Sequence, residues 1–75
     1  MKSYKITTVV EKDEHGYYAF CPELEGCCTQ GRTIDEAMKN IREAVSLYLE
    51  TLSPRERTAL SHTEVMTSSL EVNVA

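Results

Sequence analysis

The chain has 75 residues, about half a typical domain length, so residues 1–75 are expected to form one domain. Eight basic and twelve acidic residues give a formal net charge of −4. This balance disfavours direct nucleic-acid binding, because phosphates would be repelled, and suits a basic protein partner better. We find neither a secretory leader nor an apolar run of membrane-spanning length, so we expect a cytoplasmic protein with no membrane contact.

Three short strands are expected in the first 31 residues, joined as an antiparallel meander. Tyr4–Glu11 alternates, with its even-numbered residues on one face, and Lys12–Gly16 forms a polar turn closed by glycine. Tyr17–Cys21 is rich in aromatic residues, and Pro22 ends it because proline cannot donate a hydrogen bond to a ladder. Cys27–Gly31 is the third strand.

A long helix is predicted over Ile34–Leu52. Its start is marked by a capping box, in which the Thr33 hydroxyl accepts from the Glu36 amide and the Glu36 carboxylate reaches back. The apolar residues occupy one stripe roughly 140° wide, as expected for a helix packed on a sheet. They are Ile34, Ala37, Met38, Ile41, Ala44, Val45, Tyr48, Leu49 and Leu52.

Two further elements are expected after the long helix. Ser53 and Pro54 stop it and favour a short helical turn through Leu60. Leu70–Val74 alternates cleanly and predicts a final strand. The fold class is therefore α+β with order βββαβ. A right-handed crossover would place the helix on one face of a mixed four-stranded sheet. The other face lacks a covering helix, so its tyrosines and cysteines would meet solvent or a second subunit.

Two motifs carry a resemblance to a known family. Residues 16–27 read GYYAFCPELEGC, and residues 29–37 read TQGRTIDEA. The first resembles the signature of HicB-like antitoxins, with glycine, aromatic residues and Pro-Glu-Leu-x-Gly. The second resembles that family's T-x-G-x-T-x-x-E-A block, which opens the helix. The resemblance continues to residue 49 and covers about two-thirds of the chain.

The resemblance implies a fold like a truncated ribonuclease H core. It also implies that the chain binds a HicA-like toxin, a small basic RNA-cleaving protein, and masks its active surface. Members of this family commonly form dimers or higher oligomers. Many carry a C-terminal DNA-binding segment, whereas this chain ends at Ala75, so it resembles a short form and no direct DNA binding is expected.

A metal-dependent nuclease is one alternative from another class. It would need clustered carboxylates to hold Mg²⁺, and the candidates are Glu11, Glu43 and Glu71. Helical geometry turns Glu43 away from the sheet, so these carboxylates are better interpreted as solvated charges. We therefore expect no catalytic residue and no enzyme activity.

Three cysteines and two histidines are the remaining candidates for a reactive or metal site. They are His15, Cys21, Cys27, Cys28 and His62. The spacing C-x5-C-C matches no compact zinc site, and adjacent cysteines on a strand point to opposite faces. An odd number of cysteines without a secretory leader favours reduced thiols. No metal and no cofactor are expected.

The candidate partner-binding residues are acidic side chains in two turns and two leucines. They are Glu11, Asp13, Glu14, Glu23, Leu24, Glu25 and Leu47. Opposite a basic toxin, the acidic clusters would steer association, although each residue is also compatible with ordinary solvated surface.

The main hypothesis is an antitoxin that acts stoichiometrically by occluding a HicA-like toxin. One alternative is an orphan oligomeric binding or regulatory module without a toxin, and another is a vestigial nuclease. Self-association is expected because so short a chain buries only roughly 60% of its unfolded surface. The uncovered sheet face and a strand edge are the two expected routes.

Overall fold

The computed structural model describes residues 2–75; Met1 lies outside them. Three strands form an antiparallel sheet in the order β1-β2-β3, and two helices follow. The elements are β1 (Val9–Asp13), β2 (Gly16–Phe20), β3 (Cys28–Gly31), α1 (Ile34–Glu50) and α2 (Pro54–Leu60). The predicted α+β class, the meander and the long helix are confirmed.

The first strand begins at Val9 instead of Tyr4, and a proline explains the difference. Val9 pairs with Phe20, so continuing the same register would set Thr8 against Cys21 and Thr7 against Pro22, which has no N–H. The Glu23 carboxylate takes over that position: the Thr7 N–H donates to its two oxygens at 3.1 and 3.2 Å. The segment before β1 is therefore held by a side chain and not by a ladder.

The helix α1 packs on one face of the sheet. The register places Val10, Ala19 and Thr29 in one row, and Ala19 is fully buried beneath the helix. At Gly31 a Cβ atom would lie 2.5 Å from the Ala37 amide nitrogen, so glycine permits this close approach of β3 and α1. The buried apolar residues are Ala19, Cys21, Leu24, Cys27, Ala37 and Ile41.

The start of α1 differs in one detail from the predicted capping box. The Thr33 hydroxyl accepts from the Glu36 N–H at 3.1 Å, as expected. The Glu36 carboxylate, however, accepts from the Arg32 N–H at 3.2 Å, one residue earlier than predicted. The first contact satisfies a donor that the first helical turn leaves unpaired, and the second bonds the residue before the cap to the helix.

The end of α1 is tied to α2. The helix stops at Glu50, two residues before the prediction, and the Thr51 N–H caps it. The Arg57 Nε of α2 donates to the Leu49 carbonyl at 2.8 Å, and the same carbonyl also accepts from the Leu52 N–H at 3.2 Å. The short helix through Leu60 is confirmed as α2. Its capping box is complete, with Ser53 and Glu56 bonded reciprocally at 3.1 and 2.9 Å.

The prediction of a final strand over Leu70–Val74 is wrong in this structure. Residues 63–75, here called the C-terminal tail, contain no strand, turn or bend and run extended after a turn at Ser61 and His62. The described sheet is therefore three-stranded and antiparallel, not mixed and four-stranded, and the ribonuclease H-like core implied by the resemblance is not completed. Alternation specifies the two faces of a strand, but it does not specify which edge the strand joins.

Candidate partner-binding surface

The sheet face opposite α1 is uncovered among residues 2–75 and is here called the open sheet face. It contains alternate residues of all three strands, because side chains alternate between the faces of a sheet. These residues are Val9, Glu11, Asp13, Tyr18, Phe20, Cys28 and Gln30. Tyr18 and Cys28 lie on this face, whereas Tyr17 shares the face of Ala19, and Cys21 and Cys27 are buried. The expectation that tyrosines and cysteines occupy the uncovered face is therefore met only by Tyr18 and Cys28.

Two aromatic residues occupy the centre of the open sheet face. The rings of Tyr18 and Phe20 lie 5.8 Å apart between centroids and are tilted by 35°. Tyr18 is 40% exposed, whereas Phe20 is half-buried. Adjacent aromatic rings present a large rigid apolar area, which is the type of surface that dominates the energetics of protein interfaces.

The Tyr18 hydroxyl stays protonated at neutral pH. A side-chain hydrogen bond with Cys28 raises the pKa of Tyr18, and partial burial and the neighbouring Glu11 carboxylate raise it further. Glu11 pairs directly across from Tyr18 on the adjacent strand. The centre of the face therefore offers a neutral phenol beside a carboxylate.

The acidic hairpin lies at one end of this face. A shallow cavity of about 430 Å³ is lined there by Glu11, Asp13, His15, Tyr18 and other residues of the strands. The Asp13 carboxylate accepts from the His15 N–H at 2.8 Å and shapes the turn. Glu14 lies 3.4 Å from the His15 Nε2 in an exposed pair. Three of the predicted partner-binding residues, Glu11, Asp13 and Glu14, therefore lie together.

The loop of residues 21–27 lies at the opposite end of β2, and its three predicted residues differ in role. Glu25 is exposed beside a cavity of about 250 Å³ that reaches Tyr18 and Phe20. Glu23 is half-buried and holds Thr7 through its carboxylate. Leu24 is only 1% exposed and packs in the core, so its assignment to a docking surface is wrong: it supports the loop from beneath.

The structure places Leu47 far from the acidic clusters. Leu47 is 65% exposed on α1, which covers the other face of the sheet. It therefore lies in the opposite layer from Glu11 and Tyr18. The predicted residues do not form one surface: the open sheet face joins the hairpin to Glu25, and Leu47 stands apart.

The thiols divide into a buried pair and one exposed group. Burial raises the pKa of Cys21 to about 11, and the neighbouring Cys27 adds to this effect. Burial also raises the pKa of Cys27, partly opposed by its hydrogen bond with Cys21. Both thiols are therefore protonated at neutral pH, which suits core packing better than nucleophilic chemistry. Cys28 is exposed on the open sheet face.

The carboxylates considered for a nuclease are separated by the fold. Glu11 lies on the open sheet face, Glu43 on the solvent side of α1 and Glu71 on the C-terminal tail. Within residues 2–75, no group of three or more His, Cys, Asp or Glu side chains is close enough to hold a metal ion. None of the described helices is both long and apolar enough to cross a membrane.

The sequence analysis expected tyrosines on the uncovered face but did not include Tyr18 and Phe20 among the candidate partner-binding residues. Both were placed correctly in the second strand. The signal was present, because residues 18 and 20 share a face and the sequence supplies only one long amphipathic helix. That helix covers the face of Ala19, so the other face of the same strand is left open.

Comparison with known proteins identifies relatives along nearly the whole chain. A UPF0150 protein of Helicobacter pylori (strain J99) is 44% identical over 70 residues, which cover 93% of this chain and 97% of that protein. A UPF0150 protein of Synechocystis is 52% identical over 50 residues, or 65% of this chain and 63% of that protein. One from Archaeoglobus fulgidus is 51% identical over 47 residues, or 61% and 68%.

No solved structure matches the chain. The family model described as "HicB_like antitoxin of bacterial toxin-antitoxin system" matches residues 4–73. This match extends the resemblance seen in the two sequence motifs through α2 and into the C-terminal tail. The chain therefore belongs to the HicB-like antitoxin family.

Proposed function

We propose that this protein neutralises a HicA-like, RNA-cleaving toxin by binding it through the open sheet face and covering its active surface. The observation that carries the proposal is an aromatic pair flanked by carboxylates on a sheet face that α1 leaves open. Family membership supports an antitoxin role. The neutralisation is stoichiometric and takes place in the cytoplasm, where the toxin's RNA substrates are.

Electrostatics favour a basic partner at this surface. Glu11 and Asp13 contribute carboxylates along β1, Glu14 adds one at the hairpin and Glu25 one at the far end. The seven residues of the open sheet face include no lysine or arginine. The net charge of −4 has the same sign. Complementary charge of this kind accelerates association and orients the partners.

The aromatic pair of Tyr18 and Phe20 supplies binding affinity, whereas the carboxylates steer the approach of the partner. Tyr18 and Phe20 offer apolar area that is already ordered by the sheet, so little side-chain entropy is lost when a partner covers them. Residues of this type at the centre of an interface commonly carry most of its binding free energy. The Tyr18 hydroxyl, which is hydrogen-bonded with Cys28, adds a neutral polar group to this aromatic pair.

The first experiment is a pull-down of the tagged protein from its native lysate, followed by titration against the RNA cleavage of the captured protein. We expect a small basic protein in fixed ratio whose cleavage falls as this chain is added. Glu11→Lys is expected to weaken binding by about tenfold and to change its salt dependence. Tyr18→Ala is expected to weaken it more, because it truncates the aromatic centre.

Glu43→Lys is the matched control, since it makes the same charge change on the opposite layer. This substitution is expected to leave the affinity within about twofold of the wild type, because exposed charges outside an interface contribute little to binding. Equal weakening by Glu11→Lys and Glu43→Lys would show only a general charge effect and would contradict binding at the open sheet face.

A second candidate, a self-associating binding module without a toxin, is favoured by one specific observation. The C-terminal tail exposes several large apolar residues. Recovery of only the protein itself in the pull-down would favour this candidate over the antitoxin.

A further inference from the structure

The three-stranded sheet leaves part of the apolar stripe of α1 uncovered. Ala37 and Ile41 are buried. Met38 remains 38% exposed, and Ile34 is exposed as well. A groove of about 410 Å³ runs between one side of this helix and the segment that precedes β1. Its apolar lining residues are Tyr4, Ile6, Met38, Ile41, Val45 and Leu49.

The C-terminal tail has the opposite deficiency, an apolar strand-like face with nothing against it. Leu70, Val72 and Val74 alternate with polar residues and are 86%, 72% and 89% exposed. Three aliphatic side chains at a spacing of two share one face of an extended segment. They are separated by Glu71 and Asn73, which occupy the other face.

The dimensions of the whole chain show that this exposure is large. The chain exposes 6527 Å², whereas a compact monomer of its mass exposes about 4,700 Å². The excess of about 1,800 Å² is more than twice the roughly 800 Å² that each partner buries in a standard interface. The radius of gyration is 14.6 Å, against about 11 Å for a compact chain of this length.

The tail does not return to its own groove. Residues 63–66 lie beside residues 3–7, across a cavity of about 600 Å³. From there the chain runs on without a turn or bend, which carries Val72 up to about 20 Å beyond Met66. Without a reversal, the apolar face of Leu70–Val74 projects away from its own molecule.

We propose that two copies of this chain exchange their C-terminal tails, each placing Leu70–Val74 in the groove of the other beside the free edge of β1. The five-residue segment spans about 13 Å, close to the about 16 Å between Met38 and Leu49 along α1. β1 is an edge strand of the described sheet, so its outer N–H and C=O groups are free to pair with an added strand.

Charge and symmetry agree with a second copy as the occupant. Tyr4, Ile6 and Thr8 line the groove on the α1 side and Lys5 does not. With Leu70, Val72 and Val74 turned towards α1, Glu71 would lie on the side away from α1, as Lys5 does. Opposite charges on neighbouring strands stabilise their pairing. The exchange is reciprocal, so a single two-fold axis fills both grooves and covers both tails.

This inference specifies the self-association expected from the sequence and is independent of toxin binding. The experiment is sedimentation equilibrium of the full chain from about 1 to 200 μM, a range that spans typical weak dimers. The wild type is expected to reach twice the chain mass. Val72→Asp is expected to raise the dimer dissociation constant at least about 100-fold, because each dimer would bury two unpaired charges.

Asn73→Asp is the matched control, since it adds the same charge one residue away on the opposite face of the strand. It is expected to change the dissociation constant by less than about threefold. Val72 is exposed in the single chain, so neither substitution threatens the fold. A Val72→Asp chain that dimerises like the wild type would overturn the exchange.

A mixing experiment tests the groove itself. Met38→Glu places a charge at the exposed edge of the groove and is expected to weaken the dimer as Val72→Asp does. A dimer of one chain of each type retains one unaltered tail and one unaltered groove. The mixture is therefore expected to associate more tightly than either variant alone. No gain on mixing would overturn the tail-to-groove contact.

The outcomes also separate this inference from the proposals above. A wild type that is monomeric throughout would overturn the exchange and self-association together, while toxin binding would stand. A dimer that survives Val72→Asp but is lost in Tyr18→Asp would place self-association on the open sheet face and overturn the exchange alone.

Discussion

Two segments that were both predicted to be strands reach different structures. The aromatic run Tyr17–Cys21 supplies most of the central strand β2, Gly16–Phe20, with β1 on one side, β3 on the other and α1 packed on one face. Leu70–Val74 alternates cleanly, yet it pairs with nothing among the described residues and keeps its apolar side chains exposed. The difference teaches that a period of two defines the faces of a segment, whereas its neighbours decide whether it becomes a strand.

The largest expected effect contrasts a core residue with a tail residue. Ile41→Ala removes a fully buried side chain of α1 and is expected to lower the free energy of unfolding by about 2–5 kcal/mol. Leu70→Ala removes an exposed side chain and is expected to change it by less than about 0.5 kcal/mol in dilute, unassociated protein. Urea unfolding monitored by circular dichroism measures both. Similar losses would show that the tail packs on its own chain.

The next effect tests the close approach that joins the sheet to α1. Gly31→Ala would place a Cβ atom 2.5 Å from the Ala37 amide nitrogen, and is expected to cost about 1–3 kcal/mol as β3 and α1 are forced apart. Gly26→Ala is the comparison, because its Cβ meets no atom within 4 Å and only the positive φ of 80° opposes it. Its expected cost is about 1 kcal/mol. Thermal unfolding of the two variants gives the order, and a reversed order would contradict the packing described.

The smallest effect concerns α2, which connects the folded region to the tail. Ser53→Ala removes the cap hydroxyl and is expected to cost about 1 kcal/mol, whereas Thr58→Ala removes an exposed hydroxyl outside the cap and is expected to cost less. Thermal unfolding at neutral pH measures both variants. An equal loss in Thr58→Ala would show that the effect is not one of capping.

The same cap also gives a pH dependence of defined sign. Hydrogen bonds from Ser53 lower the pKa of Glu56 from 4.5. The contribution of the Glu56 carboxylate to the free energy of unfolding is therefore complete above pH 4.5 and is lost as the pH falls through the lowered pKa. The difference between wild type and Glu56→Gln should disappear over that acid range. A difference that persists below it would assign the effect to packing.

Much of the fold could be predicted because its signals are local. Thr33 and Ser53 mark both helix starts through their own hydroxyls, and the spacing of apolar residues from Ile34 gives the long helix. The hairpin glycine and Pro22 bound β2. The wrong predictions concern residues whose structure depends on atoms distant in the sequence. The Thr7 N–H bonds to the Glu23 carboxylate and not to a neighbouring strand. Leu70–Val74 has no strand edge beside it in its own molecule.

The candidate site was less predictable than the fold. Glu11, Asp13 and Glu14 were proposed because acidic residues cluster in one turn of the sequence, and they remain candidates at one end of the open sheet face. Leu24 was misassigned because a leucine between two glutamates looks exposed, whereas the loop folds back and buries it in the core. Tyr18 and Phe20 were passed over, because strand pattern alone does not say which face a single helix will cover.

The sequence by itself determined the family, the three-stranded meander, both helices and their caps, since motifs, turns and caps act over a few residues. The tertiary structure alone decided which sheet face is open, which carboxylates share it, and that part of the α1 stripe and the apolar face of the tail are left without a partner. These features depend on how segments that are distant in the sequence pack against each other. The free energy of burial depends on the apolar area covered and not on the order of the residues.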